Sequence, residues 1–344
     1  MNRTLTATIA TLVATCAVAW AALPSAASAA GGPPLPKASN GKKVKRFATG
    51  VSIPTQIAFS GGKAFVAGAA EGKFKGGLFV VKPGARVATK VPGTPKTAFG
   101  IAAKAGKVYL SSGRKVIRYS GWKRGKFNSK KTIYSGAKSF TGFSGLAIGP
   151  NGRLYAGVAL NQKYDHAEDP SPFGNSVVSM TTSGRDVKVV ATGMRQPWMM
   201  TFAPGNPDPF VSVLGQDLPM NNGHPDLIVN ARQGDDYGFP ECDRLIEGDC
   251  DEFAEPLVEL DAIPGKKNTL NQQSPMGLAA AGGKLYAALF SGDATGPKVL
   301  SMGTDGTGAK PFLSGFVAPV LSVAAHKGMV YAGDLTGTIY QVKG

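Results

Sequence analysis

Apolar positions in this chain come in pairs of short runs. In TGFSGLAIGPNGRLYAG (141–157) a run of small and branched residues meets a Gly-rich turn, and a basic residue then leads into a second run containing Leu and Tyr. The phrase recurs as TQIAFSGGKAFVAG (55–68), FGIAAKAGKVYLSS (99–112), WMMTFAPGNPDPFVSV (198–213), MGLAAAGGKLYAAL (276–289) and LSVAAHKGMVYAGD (321–334). These six copies, spaced by roughly forty to eighty residues, predict hairpins of a repeating all-β unit.

A third run follows in most copies, as in GGLFVVKPG, KVIRYSG and KVLSMGTDG, and a fourth closes five of the units, among them KKTIYSG, KPFLSG and the acidic PLVEL. The sixth copy reaches Gly344 without its fourth run, and KKVKRFATG (42–50) matches the missing one in type. Four-stranded units at this period predict a six-bladed β-propeller whose N-terminal strand closes the last blade. A stacked solenoid is the rival, but it leaves end strands unpaired and has no use for complementary termini.

Upstream of the repeats, the apolar stretch Leu5 to Leu23 ends in PSAASAA, where Ala27-Ser28-Ala29 offers a cleavage site. Residues 1–29 therefore read as an export signal, 30–41 as a linker and 42–344 as the propeller, so the mature protein is expected to be secreted. Pro24 and the small residues that follow argue against a transmembrane anchor, and no later segment is long and apolar enough to span. Cys16 follows Thr15 rather than a small residue, which disfavours a lipid anchor. The mature chain keeps Cys242 and Cys250, an even pair that predicts one disulfide in an oxidising compartment. Zinc is the poorer reading of PECDRLIEGDC, which lacks the further ligands a tetrahedral site needs.

Charge is distributed unevenly. Residues 30–140 hold 23 Lys and Arg against the single acid Glu71, while residues 141–344 hold 14 against 21 acids. The basic half would attract polyanions; for an exported protein these are anionic cell-wall or surface polymers, not nucleic acid. The acids concentrate in ECDRLIEGDCDEFAEPLVELD, an excursion expected to be pinned by the disulfide.

In a propeller the innermost strands start near one mouth of the central channel. The residues converging there would be Pro54 to Gln56, Lys96 to Ala98, Thr141 to Ser144, Arg195 to Trp198, Gln272 to Pro275 and Ala318 to Val320, none of them a carboxylate or a histidine. Two loops carry other candidate chemistry. NQKYDHAEDPSPF (161–173) gathers Asp165, His166, Glu168 and Asp169, either a cation site or a solvated insertion. GQDLPMNNGHPD offers Asp217, Asn221, Asn222, His224 and Asp226, whose oxygens suit calcium; a structural turn is the alternative. Trp122, in the basic hairpin SGWKRGKF, either stacks on a sugar or shields strand edges.

GPNGRLY, ATGMRQPWMMTFAPG and LGQDLPMNNGHPDLIVNARQGDDYGFPEC, in this order, resemble the glucose/sorbosone dehydrogenase family over about residues 140–240. The resemblance implies a six-bladed exported quinoprotein that oxidises sugars with pyrroloquinoline quinone (PQQ) and calcium, Arg195 and Gln216 holding the quinone and Asp217, Asn222 and Asp226 lying near the metal. It also implies a general-base histidine shortly before the Gly-Pro turn of blade three, where this chain has Thr141, whose hydroxyl cannot serve as that base. Blade two begins TPKTAFG, blade five begins Gln272-Gln273-Ser274-Pro275, and Gln341 stands where a late arginine is expected, so the chain reads as a degenerate member. Two functions compete: quinone-dependent sugar (aldose) oxidation, and non-catalytic binding of carbohydrate, cell-wall polymer or protein at a mouth lined by Gln56, Thr141, Arg195, Trp198 and Gln272. A calcium-dependent lactonase is a third, disfavoured by the absence of acids among the mouth residues.

Overall fold

The structure, a computed structural model, describes residues 33–216, 225–244, 246–260, 263–264 and 270–344. Six antiparallel sheets of four or five strands follow one another along the chain, with a two-stranded ribbon, Ile263–Pro264 and Leu270–Asn271, between the fourth and fifth. Blade one is Pro54–Ser60, Lys63–Gly68, Gly77–Val81 and Thr89–Lys90, and blade two is Ile101–Lys104, Lys107–Ser112, Lys115–Lys123 and Lys126–Ser135. Blade three comprises Phe143–Ile148, Leu154–Val158, Val177–Met180 and Lys188–Ala191. Blade four comprises Gln196–Thr201, Phe210–Leu214, Asp226–Asn230 and Val258–Leu260. Blade five, Pro275–Ala281, Lys284–Asp293, Gly296–Gly303 and Lys310–Ser314, gains Lys37–Ala38 as a fifth, outermost strand. Part of the stretch expected to be linker is thus paired to the sheet.

Blade six closes as the termini predicted. Val320–His326, Met329–Asp334 and Ile339–Lys343 are completed by Lys45–Ala48, which pairs with the last strand at Lys45↔Gln341 and Arg46↔Tyr340. A solenoid is excluded by this pairing of first and last segments. No helix among the described residues is long and apolar enough to cross a membrane.

Strand periodicity explains why the runs are apolar throughout rather than alternating. Within blade one, Ala64, Val66, Phe79 and Val81 pack toward blade six, whereas Phe65, Ala67, Leu78 and Val80 pack toward blade two. Successive side chains point to opposite faces, so both sets must be apolar where both faces are covered. The same holds around the ring, with a buried apolar cluster at every interface between neighbouring blades.

Toward the axis the inner strands approach one another so closely that side chains are excluded. A Cβ on Gly100 would lie 2.4 Å from Ser144 O and 2.6 Å from Leu146 N; one on Gly145 would lie 2.7 Å from Trp198 O and Met199 Sδ; one on Gly277 would lie 2.7 Å from Val323 N. Buried hydroxyls link blades at the same level: Ser111 Oγ donates to Ser144 O at 2.6 Å, and Ser144 Oγ donates to Pro197 O at 2.6 Å. Overpacking a site of this kind costs about 1–3 kcal/mol. Gly100→Ala should therefore lower the unfolding free energy by about 1–3 kcal/mol in urea denaturation; an unmoved midpoint would show that the inner strands are free to part.

Candidate functional site

The channel is divided. Its upper end, where the inner strands begin, is filled by Ile53, Phe99, Trp198, Met199, Met276, Phe290, Leu321 and Leu335, all buried. Below them Gln56 crosses from blade one: its Nε2 donates to Leu146 O at 2.8 Å, and its Oε1 accepts from Ile101 N at 2.7 Å and Leu146 N at 3.1 Å. Expected at the mouth, Gln56 instead satisfies the inner-edge peptides of blades two and three at the waist. The remaining channel is a cavity of about 330 Å³ opening at the opposite face, walled by the later residues of all six inner strands, such as Ala58, Ala147, Ala279 and Ala324.

Polar chemistry at the mouth collects where blade three meets blade four, and it comes from a loop. The connection between the second and third strands of blade three folds over the start of blade four, bringing Asp165 onto Arg195. The guanidinium, buried in the wall, donates through Nη1 to Leu214 O at 3.2 Å and to Gly215 O, and through Nη2 to Asp165 Oδ1. Asn175, itself buried, holds the underlying backbone by donating to Met194 O and Arg195 O. Asp169 Oδ1 accepts from Ser171 N at 2.9 Å, and Asp169 N donates to Asn175 Oδ1 at 2.8 Å, so the loop is tied down rather than solvated throughout.

Gln216 continues the cluster. Its Nε2 donates to Asp165 O at 2.9 Å, and since a carbonyl can only accept, this fixes the amide orientation. The same Nε2 meets His166 Nδ1, which accepts when the imidazole is neutral with its proton on Nε2; that nitrogen lies 3.4 Å from Asp165 Oδ2. The His166 ring is 56% exposed and forms the outer rim. A carboxylate and an imidazole therefore do stand at the mouth, contrary to the expectation from the strand starts alone. Both groups descend from a connection between strands, which the strand starts do not include.

Among the described residues, four buried polar atoms in this region have no partner: Arg195 Nε, Gln196 Oε1, Trp198 Nε1 and Gln216 Oε1. Two are donors and two acceptors. Burying such atoms unpaired costs about 1–3 kcal/mol each, and such orphans point to a ligand or water that the protein alone does not supply.

The other expected residues lie nearby with structural roles. Thr141 is half-buried and takes no part in the hydrogen bonds of the cluster. Gln272 Nε2 donates to Gln216 O at 2.9 Å and its Oε1 accepts from Asp226 N at 3.2 Å, fastening the blade-four loop to blade five. Asp226 is buried, and its carboxylate accepts from Gly215 N at 2.9 Å and Ser274 N at 2.7 Å. Asp217 and Asn222, with Asn221 and His224, lie outside the described residues. Among the described residues no group of three or more His, Cys, Asp or Glu is placed to hold a metal ion. Cys242 and Cys250 form the expected disulfide, with Cα atoms 5.3 Å apart. Trp122 packs on Phe65 and Phe127, with ring centroids 5.2 and 4.8 Å away.

No family profile and no curated protein matches the chain. Solved structures do match in fold. The PQQ-bound aldose sugar dehydrogenase from Streptomyces coelicolor superposes with a TM-score of 0.66 at 20% identity, over 91% of this chain and 99% of that one. A glucose dehydrogenase-type oxidoreductase from Thermus thermophilus gives a TM-score of 0.67 at 18% identity, over 88% and 100%. A gluconolactonase from Xanthomonas campestris gives 0.55 at 10% identity, over 92% and 96%. The chain shares the six-bladed arrangement of sugar dehydrogenases, and more distantly that of a lactonase.

Because the carboxylate of Asp226 accepts from two backbone N–H groups, Asp226→Asn turns an amide donor toward one of them. The variant should lose about 1–3 kcal/mol of stability in urea denaturation. An unchanged midpoint would show that this carboxylate does not hold blades four and five together.

Proposed function

We propose that this protein is an exported, sugar dehydrogenase-like propeller that binds a sugar, or the terminal unit of a glycan, where blades three and four meet at the mouth. The observation that carries the reading is the mixture of unpartnered atoms, donors Arg195 Nε and Trp198 Nε1 with acceptors Gln196 Oε1 and Gln216 Oε1. A sugar hydroxyl both donates and accepts, so a polyol answers such a set where a purely anionic ligand does not. His166 with Asp165 supplies a polar rim beside those groups.

PQQ does not fit the same residues. It is a tricarboxylate, whereas the one buried cation among the described mouth residues, Arg195, already faces Asp165 and two carbonyl oxygens. Its carboxylates would also meet the two unpartnered acceptors, Gln196 Oε1 and Gln216 Oε1. Recognition of a sugar thus stands apart from quinone-dependent oxidation of it, the reading that the fold of the neighbouring dehydrogenases suggests.

Titration calorimetry against a panel of monosaccharides and cell-wall fragments separates the two. Sugar binding is expected, weakened about tenfold by Gln216→Ala through loss of a buried hydrogen-bonding group. PQQ added with calcium should neither bind nor support dye-linked sugar oxidation. Saturable PQQ binding with turnover, or no sugar binding at all, would overturn the reading.

A further inference from the structure

The outer half of blade two extends well beyond its inner half. The blade's first two strands are 4 and 6 residues long, but its third and fourth are 9 and 10. The second strand pairs with the third only from Ser112↔Lys115 to Val108↔Tyr119. Beyond that point Ser120 to Ser129 project as a two-stranded finger. Inner strands begin at the mouth and the third strand runs parallel to the first, so the tip of this finger lies at the face opposite the candidate sugar site. Just short of its tip, Trp122 and Phe127 pack on each other and on Phe65 of blade one.

The charges on the finger break local rules in ways the fold does not explain. On the finger Lys123 lies directly across from Lys126, and in the same hairpin just below it Arg118 lies directly across from Lys131. Like charges directly opposite one another weaken a strand pair. The two-residue turn between Lys123 and Lys126 has positive φ at both positions, 52° at Arg124 and 86° at Gly125. A turn of that geometry favours Asn before Gly, and here the left-handed position carries an arginine. Lysine on an exposed outer strand would by itself guard against edge pairing. That purpose does not account for the cations opposite them on the inner partner, nor for the arginine at the tip. Among the described residues none of Arg118, Lys123, Arg124, Lys126 and Lys131 makes an ion pair. Lys130 is otherwise engaged, donating to Gly93 O at 2.9 Å.

We propose that this finger is a docking element for a linear polyanion bearing repeated phosphate groups, of the kind displayed on a cell surface. The unpaired cations lie along one extended hairpin, which suits successive charges of a polymer rather than a single small anion. Strained, like-charged positions of this sort are characteristic of binding surfaces. Surrounding blades strengthen the field, since residues 33–140 contain one acid, Glu71.

The test uses the full mature protein with long-chain inorganic polyphosphate as probe, titrated across a series of salt concentrations. Log affinity should fall linearly with log salt, and Lys123→Gln/Arg124→Asn/Lys126→Gln should reduce that slope by about three units, one for each phosphate no longer neutralised. Arg124→Asn alone guards against misfolding of the triple variant. It suits the turn better, so its melting temperature should rise while its polyphosphate affinity falls. An unchanged affinity and slope in Arg124→Asn overturns the proposal. So does duplex DNA binding more tightly than polyphosphate, or a salt-sensitive self-association of the protein that accounts for the finger. Sugar titration of the same variants should be unaffected, which keeps this test separate from that of the mouth.

Discussion

Each of the six blades is covered on both faces by an apolar cluster shared with its neighbour, and a closed ring meets that condition for all six at once. A lone blade would expose an apolar cluster on each side, as blade one would with Val66 and Phe79 on one face and Phe65 and Leu78 on the other. Closure therefore rests on the interface between the last blade and the first, where Ala48 and Val51 from the N-terminal segment join Ala324, Tyr331 and Ile339 in one buried cluster. The strand that supplies Ala48 also pairs with the C-terminal strand, so backbone and side-chain closure occur at the same place.

The architecture was legible because the repeat is written in residue types that a strand demands. Gly-rich turns, β-branched runs and a terminal segment matching the missing strand required no tertiary information. The site was less legible, for a definite reason. Arg195 could be placed at the mouth because it begins an inner strand, but its partner Asp165 lies thirty positions away in a loop whose path depends on Asn175 gripping the backbone beneath it. Gln56 does line the channel, but its amide is engaged with the peptides of blades two and three. Which polar group a glutamine satisfies depends on how near the neighbouring strands come, and that follows from Gly100 and Gly145 in other blades. Those glycines stand in the first run of their repeats, where a larger residue is otherwise expected, and they are the signal in the sequence for this close approach.

The polar chemistry of the mouth lies off its axis. Its centre is closed by Trp198, Phe99 and Met276, and its polar groups are displaced to one side, where the buried arginine is already neutralised. Donors and acceptors remain together without partners, a pattern suited to recognition of hydroxyl groups. Fold similarity to both dehydrogenases and a lactonase fits a scaffold whose chemistry is set by the loops at its rim.

The apolar plug of Ile53, Phe99, Trp198, Met199 and Met276 lies between the open cavity and the polar cluster of blades three and four, so the two ends of the channel present different chemistry. A molecule tethered from beneath would hold its upper rim outward to the medium, so attachment and recognition become separable traits that selection can adjust one at a time.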